Sequence, residues 1–136
     1  IKHALLLECN TIVVGNNKDW KRESKMSKKV NQSFVGIPHQ LYIEQLKYKA
    51  ENVGLNVIIT EESYTSKCSF LDNEEIKKHI SYKGKRFKRG MFRTNDGILI
   101  NADVNGAYNI MRKVFPDACA DGIEDVGLHP VRVNVM

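Results

Sequence analysis

The chain has 136 residues, with 42% hydrophobic and 27% charged side chains, which is the composition of a folded globular protein. Its net charge of +5 and isoelectric point near 9.1 fit binding to nucleic acid or to another anionic surface. No apolar run approaches the length of a membrane span, and the three cysteines form no CxxC pair, so neither a transmembrane helix nor a zinc ribbon is predicted.

The first half of the chain has the pattern of a strand, a helix and a second strand. Residues 1–9 have the pattern of the end of an amphipathic helix, and the β-branched run Thr11–Gly15 predicts a strand buried on both faces. A helix is expected to begin near Pro38 and to end at Gly54, its C′ residue. Its predicted apolar stripe comprises Leu41, Leu46, Ala50 and Val53. Because Leu55–Thr60 repeats the buried-strand pattern, this order predicts a βαβ crossover and a parallel sheet.

The second half predicts a β-hairpin followed by a helix. An Asn-Asp-Gly turn signal at residues 95–97 indicates that residues 85–100 form a hairpin. Asp103 is expected to be the N-cap or a first-turn residue of a helix over about 104–114. The predicted apolar side of this helix comprises Val104, Ala107, Tyr108, Met111 and Val114. The tail is loop-like, with a candidate strand at 130–135.

Three segments are candidate nucleic-acid contacts. The first is a run without an acid, in which Tyr82, Phe87 and Phe92 alternate with Lys83, Lys85, Arg86, Lys88, Arg89 and Arg93. Cations and aromatic rings on a hairpin suit phosphate contact and base stacking, although a solvated charged face is the alternative. The second is the basic loop that contains Trp20, Lys21 and Arg22. The third comprises Tyr64, Thr65, Ser66 and Lys67, which suit either a phosphate or local turn bonding.

Three stretches carry a resemblance to a known family. Residues 64–69, YTSKCS, resemble the segment that opens the zinc-ribbon insertion of OrfB/TnpB proteins. Residues 100–110, INADVNGAYNI, resemble the D-x-N-A-A-x-N-I motif that carries the last catalytic aspartate of the RuvC-like fold in that family. Residues 12–21, with 31–34 downstream, are similar to a subgroup in which this strand leads into a basic loop. Since order and spacing match over nearly the whole chain, it is identified as a member of the OrfB/TnpB family.

The resemblance implies a fold, an activity and a set of partners. The fold is α/β, a partial RNase H-like (RuvC-type) fold with parallel strands, a crossover helix and a β-hairpin insertion. Residues 1–136 are then the C-terminal part of a RuvC-like nuclease domain, with residues 63–101 in place of a zinc ribbon. The implied activity is that of a transposon-encoded, RNA-guided DNA endonuclease acting in transposition and DNA recombination. The implied partners are DNA, guide RNA and the upstream part of the same protein, and no membrane is involved. The implied location is the cytoplasm of a prokaryote, at the nucleoid.

Catalysis in that family uses three carboxylates and divalent metal, here Mg²⁺ or Mn²⁺. Two metal ions can activate a water and stabilise the leaving oxygen of a phosphodiester, and hard carboxylate oxygens hold them. Asp103 matches the last of these carboxylates, whereas the first lies upstream of this chain. Gly15 occupies the usual place of the middle glutamate, so Glu61 or Glu62, at the end of the next parallel strand, is the expected replacement. The choice between them stays open because adjacent strand residues face opposite ways.

The motif also predicts supporting residues and the loss of a metal. Asn105 and Asn109 are expected to help shape the metal or phosphate site. Cys68 matches one zinc-ligand position, but no cysteine follows before Asp103, so no zinc is expected. Without the first aspartate, the chain alone is expected to be inactive as a nuclease.

Two other functions compete with the nuclease. A binding module would keep the fold and the basic surface as a catalytically dead DNA- or RNA-binding regulator, which Gly15 in place of the glutamate favours. A transposon remnant that merely folds is the third alternative. Metal dependence separates the first from the second, and nucleic-acid affinity separates the second from the third. A carboxylate of Glu61 or Glu62 within about 4–7 Å of Asp103 would support a shared metal pair.

Overall fold

The computed structural model describes residues 1–17, 38–118 and 128–130. The helices are α1 (Lys2–Leu6), α2 (His39–Glu51) and α3 (Ala102–Val114). The strands are β1 (Thr11–Asn16), β2 (Asn56–Glu61), β3 (Lys85–Lys88), β4 (Met91–Arg93) and β5 (Leu99–Asn101). A parallel two-stranded sheet and an antiparallel three-stranded sheet make this a mixed α/β chain, which confirms the predicted fold class and is compatible with a partial RNase H-like fold.

The chain divides into two compact units, residues 1–59 and residues 60–136. In the first unit, β1 pairs with β2, and the Asn56 N–H donates to the Asn10 carbonyl at 2.9 Å. Helix α2 lies between these strands in sequence, as a crossover between parallel strands requires. The predicted strand is present, but every residue of β1 is only half-buried, so the prediction that both faces are fully buried is wrong.

The buried face of α2 includes only part of the predicted stripe. Ile43 and Ala50 are buried and Leu46 is half-buried, whereas Leu41 and Val53 are about half exposed. At 100° per residue, positions 43, 46 and 50 fall within one narrow sector, and position 41 lies on the opposite side. The predicted stripe was therefore wrong at Leu41 and Val53, because those apolar side chains flank or oppose the packed face.

The end of α2 matches its prediction. Gly54 has a φ of +77°, a left-handed conformation that glycine adopts without a Cβ penalty. The Leu55 N–H donates to the Ala50 carbonyl at 2.9 Å and the Gly54 N–H donates to the Glu51 carbonyl at 3.1 Å. This pair of bonds is a Schellman motif with Gly54 at C′, and it turns the chain into β2.

The second unit contains two successive hairpins where one was predicted. In the order β3-β4-β5, Lys85 lies opposite Arg93 and Phe92 lies opposite Ile100. The predicted turn at residues 95–97 connects β4 to β5, with Gly97 at a φ of +86°. A second turn, at Gly90 with a φ of +75°, divides the basic run into β3 and β4. The single hairpin over 85–100 is therefore corrected to a three-stranded meander.

The core of the second unit joins this meander to α3. Phe92, Ile100, Ala102 and Leu128 are buried together, and Leu71, Val104 and Tyr108 pack against them. Helix α3 begins directly after β5, and the Asn101 side-chain oxygen caps it by accepting from the N–H groups of Asp103 and Val104 at 2.9 and 3.1 Å. Asp103 is thus a first-turn residue, and Asn101 is the N-cap.

The predicted apolar side of α3 is confirmed in part, since Val104 and Tyr108 pack against the core, but its fully buried side is a different one. Its fully buried residues are Ala102, Asn105 and Asn109, whereas Ala107 is exposed. Two asparagines thus take the place that apolar side chains were expected to fill. No helix within residues 1–17, 38–118 and 128–130 is long and apolar enough to cross a membrane.

Candidate functional site

Asp103 lies in the first turn of α3 and is exposed to solvent. Its backbone N–H is held by Asn101, and its carboxylate forms no ion pair with any residue that the structure describes. A carboxylate at this end of a helix is stabilised by the partial positive charge of the N-terminus. The side chain is therefore open to solvent or to an added cation.

Glu61 is bound at the other end of the same helix. Its Oε2 lies 2.9 Å from the Lys113 ammonium, and its Oε1 accepts from the Ser63 N–H at 2.5 Å. The Ser63 hydrogen bond, followed by Lys113, lowers the pKa of Glu61 despite slight desolvation. Lys113 also donates to the carbonyls of Glu61 and Ser63, at 2.8 and 3.1 Å, so it joins residues 61–63 to the last turn of α3.

The structure does not bring Glu61 and Asp103 together. Lys113 follows Asp103 by ten residues, which corresponds to about 15 Å along a helix. Glu62 begins the next turn, where its carbonyl accepts from the Thr65 hydroxyl at 2.7 Å. Among the described residues, no group of three or more His, Cys, Asp or Glu could hold a metal ion. These residues do not form a complete magnesium site, and metal binding by Asp103 and Glu62 stays a prediction.

Asn105 and Asn109 hold the loop that follows β2. Both side chains are fully buried. The Asn105 amide accepts from the Phe70 N–H at 2.9 Å and donates to the Cys68 carbonyl at 3.0 Å. The Asn109 amide donates to the carbonyls of Thr65 and Cys68, at 2.9 and 2.8 Å. Sequence analysis placed these amides beside a metal or phosphate, but the structure uses them to fix the loop backbone.

Arg112 extends the same hydrogen-bonded network by one helical turn. Its guanidinium donates to the side-chain oxygens of Asn109 and Asn73, at 3.0 and 2.6 Å, and to the Glu74 carbonyl. It also lies 5.4 Å from the centre of the Phe70 ring. We refer to Asn105, Asn109 and Arg112 as the polar clamp. The clamp satisfies backbone groups that burial would otherwise leave unpaired.

The segment 64–69 is mainly a structural turn. Thr65 is buried, and its hydroxyl donates to the Glu62 carbonyl, so this side chain follows the local-bonding alternative. Tyr64 has a φ of +66°, which is unusual for a residue with a side chain. Ser66 and Lys67 are exposed and stay available to a phosphate.

Cys68 is buried at the centre of this turn. Its thiol donates weakly to the carbonyls of Glu75 and Lys77, at 3.5 and 3.6 Å. Burial raises the pKa of the Cys68 thiol. The side chain therefore serves as a packed, protonated group within the described loop.

A buried acid that sequence analysis missed connects the loop to the meander. Glu74 is 3% exposed, and its two oxygens accept from the N–H groups of Ser69 and Lys83, at 2.7 and 2.9 Å. In the sequence it precedes Glu75 and resembles an ordinary solvated acid. Only the tertiary structure indicates that its carboxylate is a bridge between two distant backbone segments.

The predicted basic run forms an exposed surface, which we call the basic ribbon. It comprises Lys83, Lys85, Arg86, Lys88, Arg89 and Arg93. All four residues of β3 are exposed, and the ion pairs found among the described residues lie elsewhere. Lys85 is directly opposite Arg93, and such like-charged pairs repel each other unless an anion binds between them.

The aromatic side chains of this run have separate roles. Phe87 is 52% exposed, and the Arg93 guanidinium lies 4.9 Å from the centre of its ring. Phe92 is 1% exposed and belongs to the core, so the expectation that it alternates with the cations as a stacking surface is wrong. Tyr82 is half-buried and contacts His79 edge to face at 5.4 Å. Phe87 is the exposed ring of the described ribbon.

A polar pocket of about 490 Å³ opens beside the ribbon. It is lined by residues 81–85 on one side and by residues 93–95 and Gly97 on the other. Gly84 is required here, because a Cβ at this position would come within 2.3 Å of the Phe92 ring. The pocket thus joins Lys85, Arg93 and backbone polar groups in one concave surface.

Some predicted contacts lie outside the residues that the structure describes. These are Trp20, Lys21 and Arg22, together with most of the candidate strand at 130–135.

A comparison with family models shows which family the chain matches. The model described as Cas12f1-like, TNB domain, matches residues 39–110, which is more than half of the chain. The matched region begins at α2 and includes the basic ribbon, Asp103, Asn105 and Asn109. A comparison with curated proteins gave no match.

Proposed function

The chain belongs to the Cas12f1-like TNB family of TnpB- and Cas12-related nucleases, and we propose that it is the nucleic-acid-binding, C-terminal portion of an RNA-guided DNA endonuclease. The observation that carries this proposal is the basic ribbon. Lys85, Arg86 and Lys88 lie on the exposed strand β3. No cation of the ribbon forms an ion pair with a carboxylate among the described residues, and Lys85 faces Arg93. Polyanionic phosphate backbones bind such surfaces by displacing condensed counterions.

The proposed partners are DNA and a guide RNA, in keeping with the family. Phosphate contacts position a nucleic acid without reading its sequence. A guide RNA supplies sequence recognition by base pairing, so the protein surface needs only charge and shape. The ribbon offers both, because its cations lie on and beside a pair of antiparallel strands with an adjacent pocket.

The proposed catalytic contribution of this chain is limited to single carboxylates. Asp103 is the candidate metal ligand, since it is exposed at a helix N-terminus and forms no ion pair with the described residues. A Mg²⁺ or Mn²⁺ pair would supply an activated water for phosphodiester hydrolysis. Glu62 is a further candidate ligand, and the remaining ligands would have to come from residues outside those described. We therefore expect no cleavage by this chain alone.

A catalytically dead binding module is the second candidate, and a specific observation favours it. Glu61 is bound to Lys113, and Gly15 stands where the family's middle glutamate is expected. Both candidates share the ribbon and predict no cleavage by this chain alone, so they differ in metal binding at Asp103. If Mn²⁺ binds the chain and Asp103→Ala abolishes that binding, the binding-module candidate is eliminated.

Fluorescence anisotropy with labelled DNA and RNA tests the shared binding proposal. The double variant Lys88→Ala/Arg89→Ala should raise Kd by about tenfold and should reduce the slope of log K against log salt by about 1.5. Lys77→Ala/Lys78→Ala is the matched control, since it removes two exposed lysines outside the ribbon. Wild-type protein that binds neither DNA nor RNA at low salt would refute the proposal, as would an equal loss in the control.

A further inference from the structure

The pocket has the chemistry of an anion site. Lys85 and Arg93 are opposite each other in the strand register and both line the pocket. The nearby acids are engaged in the adjoining turn: Asp72 accepts from the Asn95 N–H at 3.0 Å, and Asp96 accepts from the Asn95 amide at 3.4 Å. A phosphate between the two cations would relieve their repulsion and would form charge-assisted hydrogen bonds with the guanidinium.

Arg93 connects this pocket to the exposed ring. Arg93 lines the pocket, and its guanidinium lies 4.9 Å from the centre of the Phe87 ring. Since a phosphate would bind that guanidinium at about 2.8 Å, the phosphate and the ring are within about 9 Å of each other. One nucleotide spans such a distance, with its phosphate at one end and its base at the other.

We propose that the ribbon binds single-stranded nucleic acid through a nucleotide site, with a phosphate between Lys85 and Arg93 and the adjacent base stacked on Phe87. This inference rests on the proposed function and deepens it. A duplex keeps its base faces stacked internally, so an exposed ring contributes only when the strand is single. The strand irregularity between Arg86 and Lys88 is centred on Phe87, and such bulges turn a side chain out of the regular pleat.

Three labelled probes of equal length separate the two parts of this site: single-stranded DNA, the matching duplex, and an abasic strand that keeps the phosphates. Phe87→Ala should raise Kd for the single strand by about tenfold and should leave the abasic strand unchanged. Lys85→Ala should raise Kd for both single-stranded probes. Arg93→Lys retains the charge but loses the planar guanidinium, so we expect a smaller loss on both.

Phe115→Ala is the matched control, because it removes another partly exposed phenylalanine, 43% exposed, that lies outside the ribbon. Unchanged thermal unfolding of Phe87→Ala and Lys85→Ala would show that these variants fold. The inference is overturned if Phe87→Ala behaves like the control, or if it weakens the abasic strand as much as the normal one. Either result leaves the proposed function intact, whereas the absence of any wild-type binding removes both.

Discussion

The polar clamp and the basic ribbon are both made of polar side chains, yet they meet opposite physical conditions. In the clamp, Asn105 and Asn109 are fully buried and their amides are paired with the backbone of residues 65–70. In the ribbon, the cations of β3 are exposed and two like charges face each other. The clamp thus stabilises the fold, whereas the ribbon keeps its charge available for a ligand.

The largest expected effect comes from opening the clamp. Asn109→Ala would remove hydrogen bonds to Thr65, Cys68 and Arg112. The Thr65 carbonyl would lose its amide partner, whereas the Cys68 carbonyl would keep the bond from Asn105. We expect a loss of about 3 kcal/mol in the free energy of unfolding, measured by urea denaturation. Asn56→Ala, at an exposed asparagine, is the control and should cost less than about 0.5 kcal/mol. A loss below about 1 kcal/mol for Asn109→Ala would contradict the clamp's role.

The clamp also marks the limit of what the sequence predicts. Local signals were sufficient for the end of α2, where Gly54 adopts the expected left-handed conformation, and for the turn at residues 95–97. The backbone groups that Asn105 and Asn109 bind lie 35 to 44 residues away, so no local pattern reveals them. The family resemblance indicated that the two asparagines help shape a metal or phosphate site. In the structure, their buried amides bind the backbone of residues 65–70.

Contacts between residues far apart in the sequence also explain other differences between the predictions and the structure. The argument that neighbouring strand ends converge placed Glu61 near Asp103, but Lys113, 52 residues later, holds Glu61 at the far end of α3. Glu74 accepts a hydrogen bond from the backbone of Lys83, nine positions later, so its burial could not be predicted from the local sequence either. In the ribbon, Gly90 was hidden within a charged run, and the second turn was missed.

A smaller effect is expected at the contact of Glu61 and Ser63 with Lys113 of α3. Lys113→Met would remove the bonds to Glu61 and Ser63, at a cost of about 1 kcal/mol at neutral pH, because the carboxylate is exposed and screened. The pKa of Glu61 is lower in the folded state, so its ionised carboxylate stabilises the fold at pH values above the unfolded-state pKa. This stabilisation is lost as pH falls through the folded-state pKa.

Urea denaturation between pH 7 and pH 3 measures this dependence. The difference between wild type and Lys113→Met should shrink below about pH 4, while a residual from the two backbone carbonyls persists. Lys78→Met, at an exposed lysine, is the control and should show no such change. A difference that is constant with pH would exclude the ion pair as its source.

The smallest change in the free energy of unfolding is expected in the basic ribbon. Lys85→Thr removes one of two opposed cations and introduces a residue that favours strands. We expect the free energy of unfolding to rise by about 0.5 kcal/mol at low salt, and the gain to vanish at high salt. Lys67→Thr, at an exposed lysine outside the ribbon, is the comparison. Destabilisation by Lys85→Thr would mean that the opposed cations do not repel in the free protein.

The junction between β5 and α3 has a consequence for motion. Asn101 is both the last residue of the strand and the N-cap of the helix, so no linker separates the two elements. A hinge requires residues whose φ and ψ can change, and here hydrogen bonds of the sheet and of the cap fix them. We therefore expect the meander and α3 to move together as a rigid body. A rotation of the basic ribbon would then also displace Asp103.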